Sequence, residues 1–260
     1  MLSSGIERHA VADTEKLMNS TRRLARIAGL LYLIVGVCGG FAQFVRIATV
    51  YVPGDAATTA QNVVANSGLV RMGFIADLID ATVFVFLAMT LYLLLRHVNM
   101  NAAGAMVVLV AIAAAIQALN LVFQFAGLRV ATDPSYVGAF GIAGAHALVL
   151  LLFDIQHYGY LIDQIFFGLW LVPLGYLAYT SRMFPRALGV LLIAGGACYL
   201  VGLLAVFLVP QFGETVNGSV TIVSAVAELW MVGYLLVIGV RTREPDPKPV
   251  KSDQSTLAAA

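Results

Sequence analysis

Charge is what this chain of 260 residues has least of: Asp, Glu, Lys and Arg make up 11% of it, against 60% hydrophobic residues. An ordinary water-facing domain carries about 25% charged residues. The deficit excludes a soluble cytosolic enzyme, a nucleic-acid binder and a disordered chain. Cysteine is nearly missing as well. Cys38 and Cys198 each lie inside an apolar run, which excludes a disulfide framework. There is no HExxH or paired-cysteine spacing, no Gly-rich phosphate loop, no G-x-S-x-G elbow and no Cys/His nucleophile pair. No metal site and no cofactor is therefore expected, and the usual hydrolase templates find no support.

What the chain has instead is long apolar runs. A bilayer core about 30 Å thick takes about 20 apolar helical residues to cross. Six runs qualify: 27–51, 69–95, 102–128, 158–179, 187–209 and 220–240. The expected fold is all-α, a polytopic bundle of six transmembrane helices with the lipid bilayer as its partner. The first run is much longer than the apolar stretch of about 7–15 residues in a cleavable signal, so it reads as an uncleaved anchor. Residues 1–26 are expected as a cytoplasmic N-terminal segment and 241–260 as a disordered cytoplasmic tail, rich in proline and charge.

The connectors support this division. Val52-Pro53-Gly54-Asp55 is a turn, with Asp55 placed to cap an amphipathic helix over 56–66 that Ser67-Gly68 then ends. Of the 15 Lys and Arg residues, only Arg46, Arg71 and Arg129 fall on one side of the six-span topology; the other twelve fall on the opposite side. By the positive-inside rule both termini are cytoplasmic and the amphipathic helix is outside. Segment 139–153, about 22 Å of helix, would as a seventh span invert everything after it. The preferred reading is a partly inserted helix over 139–157 leading into the fourth span, its start weakened by Gly138, Gly141 and Gly144.

The polar residues inside the spans are confined in depth. Measured from the outer end of each helix, Arg71 and Arg46 fall at about 3 and 7 Å, Asp77 and Asp80 at about 12 and 16 Å. Gln124, Asn120 and Gln117 fall at about 6, 12 and 16 Å, Asp163 and Gln164 at about 8 Å, and Glu228 at about 12 Å. The inner halves hold no Asp, Glu, Lys or Arg. Asp77 and Asp80 share a helix face, and Gln117, Asn120 and Gln124 form a stripe at i, i+3, i+7. Matching depth pairs Asp77 with Asn120 and Asp80 with Gln117. Arg71 points away from both aspartates, leaving Arg46 as the better partner for Asp77.

Charged groups at this depth cost about 2.5–3.5 kcal/mol each on insertion scales and persist when they pair or line water. An outward-facing polar pocket walled by Arg46, Arg71, Asp77, Asp80, Gln117, Asn120, Gln124, Asp163 and Glu228 would bind a small polar or amphiphilic ligand. An interhelical network that fixes packing is the competing account. A second constellation, His146, Asp154, His157 and Asp163, enters the fourth span; His157 beside Asp154 suits an acid–base pair. Gly36 and Gly40, with Gly29 and Gly39, and Gly189, Gly195, Gly196 and Gly202 are expected to mark close helix–helix contacts, with a dimer face as the minor alternative. Asn217-Gly218-Ser219 fits a glycosylation pattern.

Several strings together resemble one bacterial membrane family. They are Val52-Pro53-Gly54-Asp55-Ala56-Ala57-Thr58-Thr59-Ala60, Arg71 with Asp77-Leu78, His157-Tyr158-Gly159-Tyr160, Phe166-Phe167-Gly168-Leu169, Leu174-Gly175-Tyr176 and Pro185-Arg186-Ala187-Leu188-Gly189-Val190-Leu191. The chain is similar, from about Arg23 to Val240, to domain-of-unknown-function family 4386. The resemblance implies a multi-pass protein of the bacterial inner (plasma) membrane with six spans. It implies no activity, substrate or catalytic residue. Three functions are carried forward: ligand binding in the outer pocket, proton- or ion-coupled transport using Asp80 and Glu228, and a membrane-embedded hydrolase or transferase using His157 with Asp154 or Asp163.

Overall fold

The computed structural model describes the backbone of residues 2–209 and 211–241, and the side chains of 19–209 and 211–241. Among the described residues the regular structure is wholly helical: α1 (Leu2–Phe44), continued by a π-helical segment (Val45–Val50), then α2 (Ala56–Ala65), α3 (Ser67–Leu95), α4 (Met100–Thr132), α5 (Pro134–Ser181), α6 (Arg186–Leu208) and α7 (Gly213–Val237). Six of these, all but α2, are long and apolar enough to cross a membrane. Each long helix packs on the next in the chain, and α7 returns to α1, closing a ring in the order α1, α3, α4, α5, α6, α7. The expected tail lies outside the described residues, apart from Arg241. Residues 2–26, expected as a separate segment, continue α1 as helix.

Local chemistry sets the helix boundaries. Asp55 caps α2 by accepting the Thr58 N–H at 2.9 Å, and Asn99 caps α4 by accepting the Ala102 N–H at 3.0 Å. Asp133 accepts the Ser135 N–H at 3.0 Å, and Pro134 opens α5 in the position where its missing N–H costs nothing. The helix α2 ends one residue earlier than expected, at Ala65, with Asn66 as its C-cap, and Ser67 already belongs to α3.

The segment 139–157 is the outer part of α5 itself. Gly141 adopts φ 71°, which breaks the helix once, as the glycine-rich start suggests. From there the helix continues through the fourth span, so this segment and the fourth span form one of the six candidate spans among the described residues. Past the break at Gly141, the continuous part of α5 over 142–181 is about 60 Å long, about twice a bilayer core.

The interior is layered. At the end of the bundle holding the α3–α4 and α5–α6 connectors, a large apolar core joins Ala25, Leu91, Met106, Leu174, Leu188 and Leu235. At the other end a smaller core joins Val50, Tyr51, Val63, Leu128, Val149 and Phe153, gathering α2 and the extended ends of α4 and α5 into a cap. The cap is tied down by Thr59, which bonds both the carbonyl and the N–H of Val52 at 3.1 Å. We call the capped end outer, following the basic-residue asymmetry. Buried polar side chains lie between the two cores.

Candidate functional site

The polar layer begins where α1 changes its winding. Val45–Val50 is π-helical, a geometry that widens the turn and is found frequently at functional sites. Arg46 sits on it, 3% exposed. Its Nη1 reaches the Asp77 Oδ2 at 3.4 Å, Nη2 donates to the Gln43 side chain, and its Cζ stands 4.8 Å over the Tyr160 ring. The pairing of Arg46 with Asp77, expected from rotation about α3, is therefore present. Gln43 and Tyr160 were not expected. Neither carries charge, so matching charges by depth does not single them out.

One turn further in, the Gln117 Nε2 donates to the Asp80 Oδ2 at 2.6 Å, joining α3 to α4 as the depth matching requires. The other carboxylate oxygen, Asp80 Oδ1, takes no hydrogen bond from the protein. Asp163 on α5 is fully buried and neither of its oxygens has a protein partner. The stripe Gln117, Asn120, Gln124 is buried throughout. Asn120 does not bond Asp77. Its amide presses against Gly159 of α5, where an added Cβ would overlap it, so the glycine of His157-Tyr158-Gly159-Tyr160 is what admits a polar side chain between α4 and α5.

Glu228 on α7 completes the layer. It accepts from the Tyr32 hydroxyl at 2.8 Å and from the Tyr199 hydroxyl at 3.2 Å, spanning α1, α7 and α6. Asp80 and Glu228 both line a cavity of about 150 Å³ whose remaining walls are mostly aromatic: Phe84, Tyr160, Phe167, Trp170 and Tyr199. Gly36, Gly39 and Gly40 of α1 form its last wall. This corrects the expectation for α1. An added Cβ at Gly36 or Gly40 would meet no other atom within 4 Å, so these two glycines border open space and not a packed helix. Gly29 does mark contact, lying against Leu235. So do Gly189 and Gly196, which approach Gly175 and Gly168 across the α5–α6 interface.

Some expected members stand elsewhere. Arg71 is exposed and borders an apolar groove with Cys38, Phe41 and Ile75, away from the carboxylates. Asp154 and His157 do not bond one another. Asp154 accepts from the Tyr51 hydroxyl at 2.6 Å, while His157 Nε2 lies 2.9 Å from Glu214 Oε1. Glu214 escaped the sequence reading because the sixth span was started at Val220. The helix in fact begins at Gly213 and carries Glu214 in its first turn. His146 faces a separate groove beside α2. Asn217 is buried, 8% exposed, against Gly202, which leaves the glycosylation pattern no accessible amide.

The site thus holds four carboxyl groups, Asp77, Asp80, Asp163 and Glu228, around one arginine already engaged by Asp77. At its outer end α2 packs with the ends of α1, α4 and α5 in the smaller core, and among the described residues the large apolar core lies at its inner end. Among the described residues no cluster of His, Cys, Asp and Glu is arranged to hold a metal ion. A family model described as a domain of unknown function (DUF4386) matches residues 27–239. No curated protein and no solved structure matches the chain.

Proposed function

The chain belongs to the DUF4386 family, whose description carries no activity, and from that premise we propose a multi-pass protein of the bacterial inner membrane that binds a small polar or amphiphilic ligand. Both termini are cytoplasmic in this reading, as the basic residues direct. The observation that carries it is Asp80: a carboxylate 7% exposed, with one oxygen lacking any protein partner, on the wall of a 150 Å³ cavity. A buried polar group without a partner costs about 1–3 kcal/mol, more when charged. A network kept only for packing would satisfy both oxygens, as Glu228 is satisfied by two tyrosines. A ligand group offering hydrogen or positive charge supplies the missing partner.

Transport and catalysis have weaker support. Coupled transport needs a polar route through the inner half, which is packed with Leu, Met and Ala side chains. The acid–base reading loses its pair, because His157 and Asp154 turn to different partners.

The test is native mass spectrometry of the protein released from nanodiscs, beside a Gly40→Phe variant. An added Cβ at Gly40 meets no other atom within 4 Å, and Gly40 lines the cavity, so the larger side chain is chosen to occupy it. The reading predicts a bound small molecule on the parent protein that disappears in the folded variant. A parent protein that carries nothing, or the same adduct on both proteins, contradicts it.

A further inference from the structure

The chemistry of the cavity and the side on which it opens identify the class of ligand. Resting on the reading above, we infer that the ligand is an amphiphilic organic cation, with its ammonium group in the cavity between Asp80 and Glu228 and its alkyl chain passing out between α1 and α7 into the outer leaflet.

Three observations converge on this. The first is charge. Arg46 is committed to Asp77, the Asp80 Oδ1 is unpartnered, and Glu228 receives only neutral phenol hydroxyls. The cavity is short of positive charge. The second is its lining. Phe84, Tyr160, Phe167, Trp170 and Tyr199 present aromatic surface around the two carboxyl groups, the surroundings in which quaternary ammonium groups are recognised. A volume of 150 Å³ is that of a cavity that admits benzene, which suits a trimethylammonium headgroup. A bare metal ion would need several oxygen ligands converging on one point, and among the described residues no such cluster occurs.

The third is the change of packing partners along α1 and α7. Toward the inner end these helices touch: Gly29 lies against Leu235, and Tyr32 bonds Glu228. Beyond that contact the close contacts of each helix are with other neighbours. The packing of α1 goes to α3, through Gly39 against Asp80, Arg46 with Asp77 and Val45 against Gly73. The packing of α7 goes to α6 and α5, through Ser224 on the Gly195 carbonyl at 2.7 Å, Asn217 against Gly202 and Glu214 with His157. Gly36 and Gly40 border the gap that remains. Gly36 and Gly40 are exposed in the middle of a membrane-crossing helix, so the gap beside them opens onto lipid, where an alkyl chain belongs and a free ion does not.

The experiment places full-length protein in nanodiscs of neutral lipid. Of its two tryptophans, Trp230 is replaced by Phe, so that Trp170 in the cavity wall reports alone. Three probes are titrated: dodecyltrimethylammonium, tetramethylammonium and uncharged dodecanol. The inference predicts saturable changes in Trp170 emission with both ammonium probes, the long-chain one binding at least tenfold tighter, and no saturable change with dodecanol. The double variant Asp80→Asn, Glu228→Gln weakens both ammonium probes at least tenfold. Gly36→Phe, with Gly36→Leu as the smaller alternative, removes the preference for the long chain and keeps tetramethylammonium. Dodecanol binding as tightly as its ammonium analogue overturns the inference, as does a double variant that binds normally. An undiminished chain preference in Gly36→Phe overturns the route between α1 and α7. A native adduct in mass spectrometry without ammonium binding sinks this inference alone; absence of both sinks the ligand-binding reading too.

Discussion

The inner and outer halves of the same six helices follow opposite rules. In the inner half Leu87, Leu91, Leu95, Met106, Leu174 and Leu188 are all fully buried against one another. In the outer half the buried positions include Arg46, Asp77, Asp80, Gln117, Asn120, Gln124 and Asp163, and several of their polar atoms have no protein partner. Lipid offers no hydrophobic drive for helix association, so a bundle holds together through close packing and interhelical hydrogen bonds. The inner half, with the glycine approaches of α5 on α6, does the packing. The outer half contains more polar groups than its hydrogen bonds can use, and such an excess is expected of a site and not of a scaffold.

Variants in either half put this contrast at risk. The largest effect is expected in the dry half: Leu91→Asp buries an unpaired charge and should cost more than about 4–5 kcal/mol, leaving no folded protein by size-exclusion chromatography. Next, Arg46→Met strands Asp77 and should cost about 3–5 kcal/mol. Adding Asp77→Leu to it should recover most of the loss in thermal melts, because the pair is then replaced and not broken. Asp163→Leu should run the other way, stabilising by about 1–3 kcal/mol since it removes a buried carboxyl with no partner. A clear loss of stability there would mean that the outer layer is structural after all.

The smallest effect belongs to the cap at the outer end. Asp55 is held below the usual carboxylate range first by the Thr58 N–H, then by the Thr58 hydroxyl. A lowered folded-state value means stability that is present above the unfolded carboxylate range and fades as the pH falls through the lowered one. Asp55→Ala should therefore lower the melting temperature slightly at neutral pH, with the difference closing in acid. A difference that persists unchanged in strong acid would show that the Asp55 charge does not hold α2.

How much of this was legible in the sequence varies with the range of the interaction. The six spans, the Asp55 cap and the common face of Asp77 and Asp80 follow from local periodicity and hydropathy, and so does the rotation that gives Arg46 to Asp77. The length of α5 did not, because a helix that extends far past the bilayer alongside α4 needs no membrane-length apolar limit. The opening beside Gly36 and Gly40 was invisible for a related reason. A glycine stripe reads the same whether a neighbouring helix fills it or stands away, and only the packing around Gly36 and Gly40 decides. Tyr51 and Glu214, the partners of Asp154 and His157, lie 103 and 57 residues from them in the chain. No spacing rule connects residues so far apart.

Hydrogen–deuterium exchange of the intact protein in nanodiscs tests the difference between the halves most directly, because each helix supplies its own control. On α3 and α4 the amides of 71–80 and 117–124 flank the polar layer, while those of 86–95 and 103–113 flank the apolar core. The account predicts exchange at least tenfold faster in the outer segments than in the inner segments of the same helices. Equal protection along each helix, or faster exchange at the inner end, would contradict it.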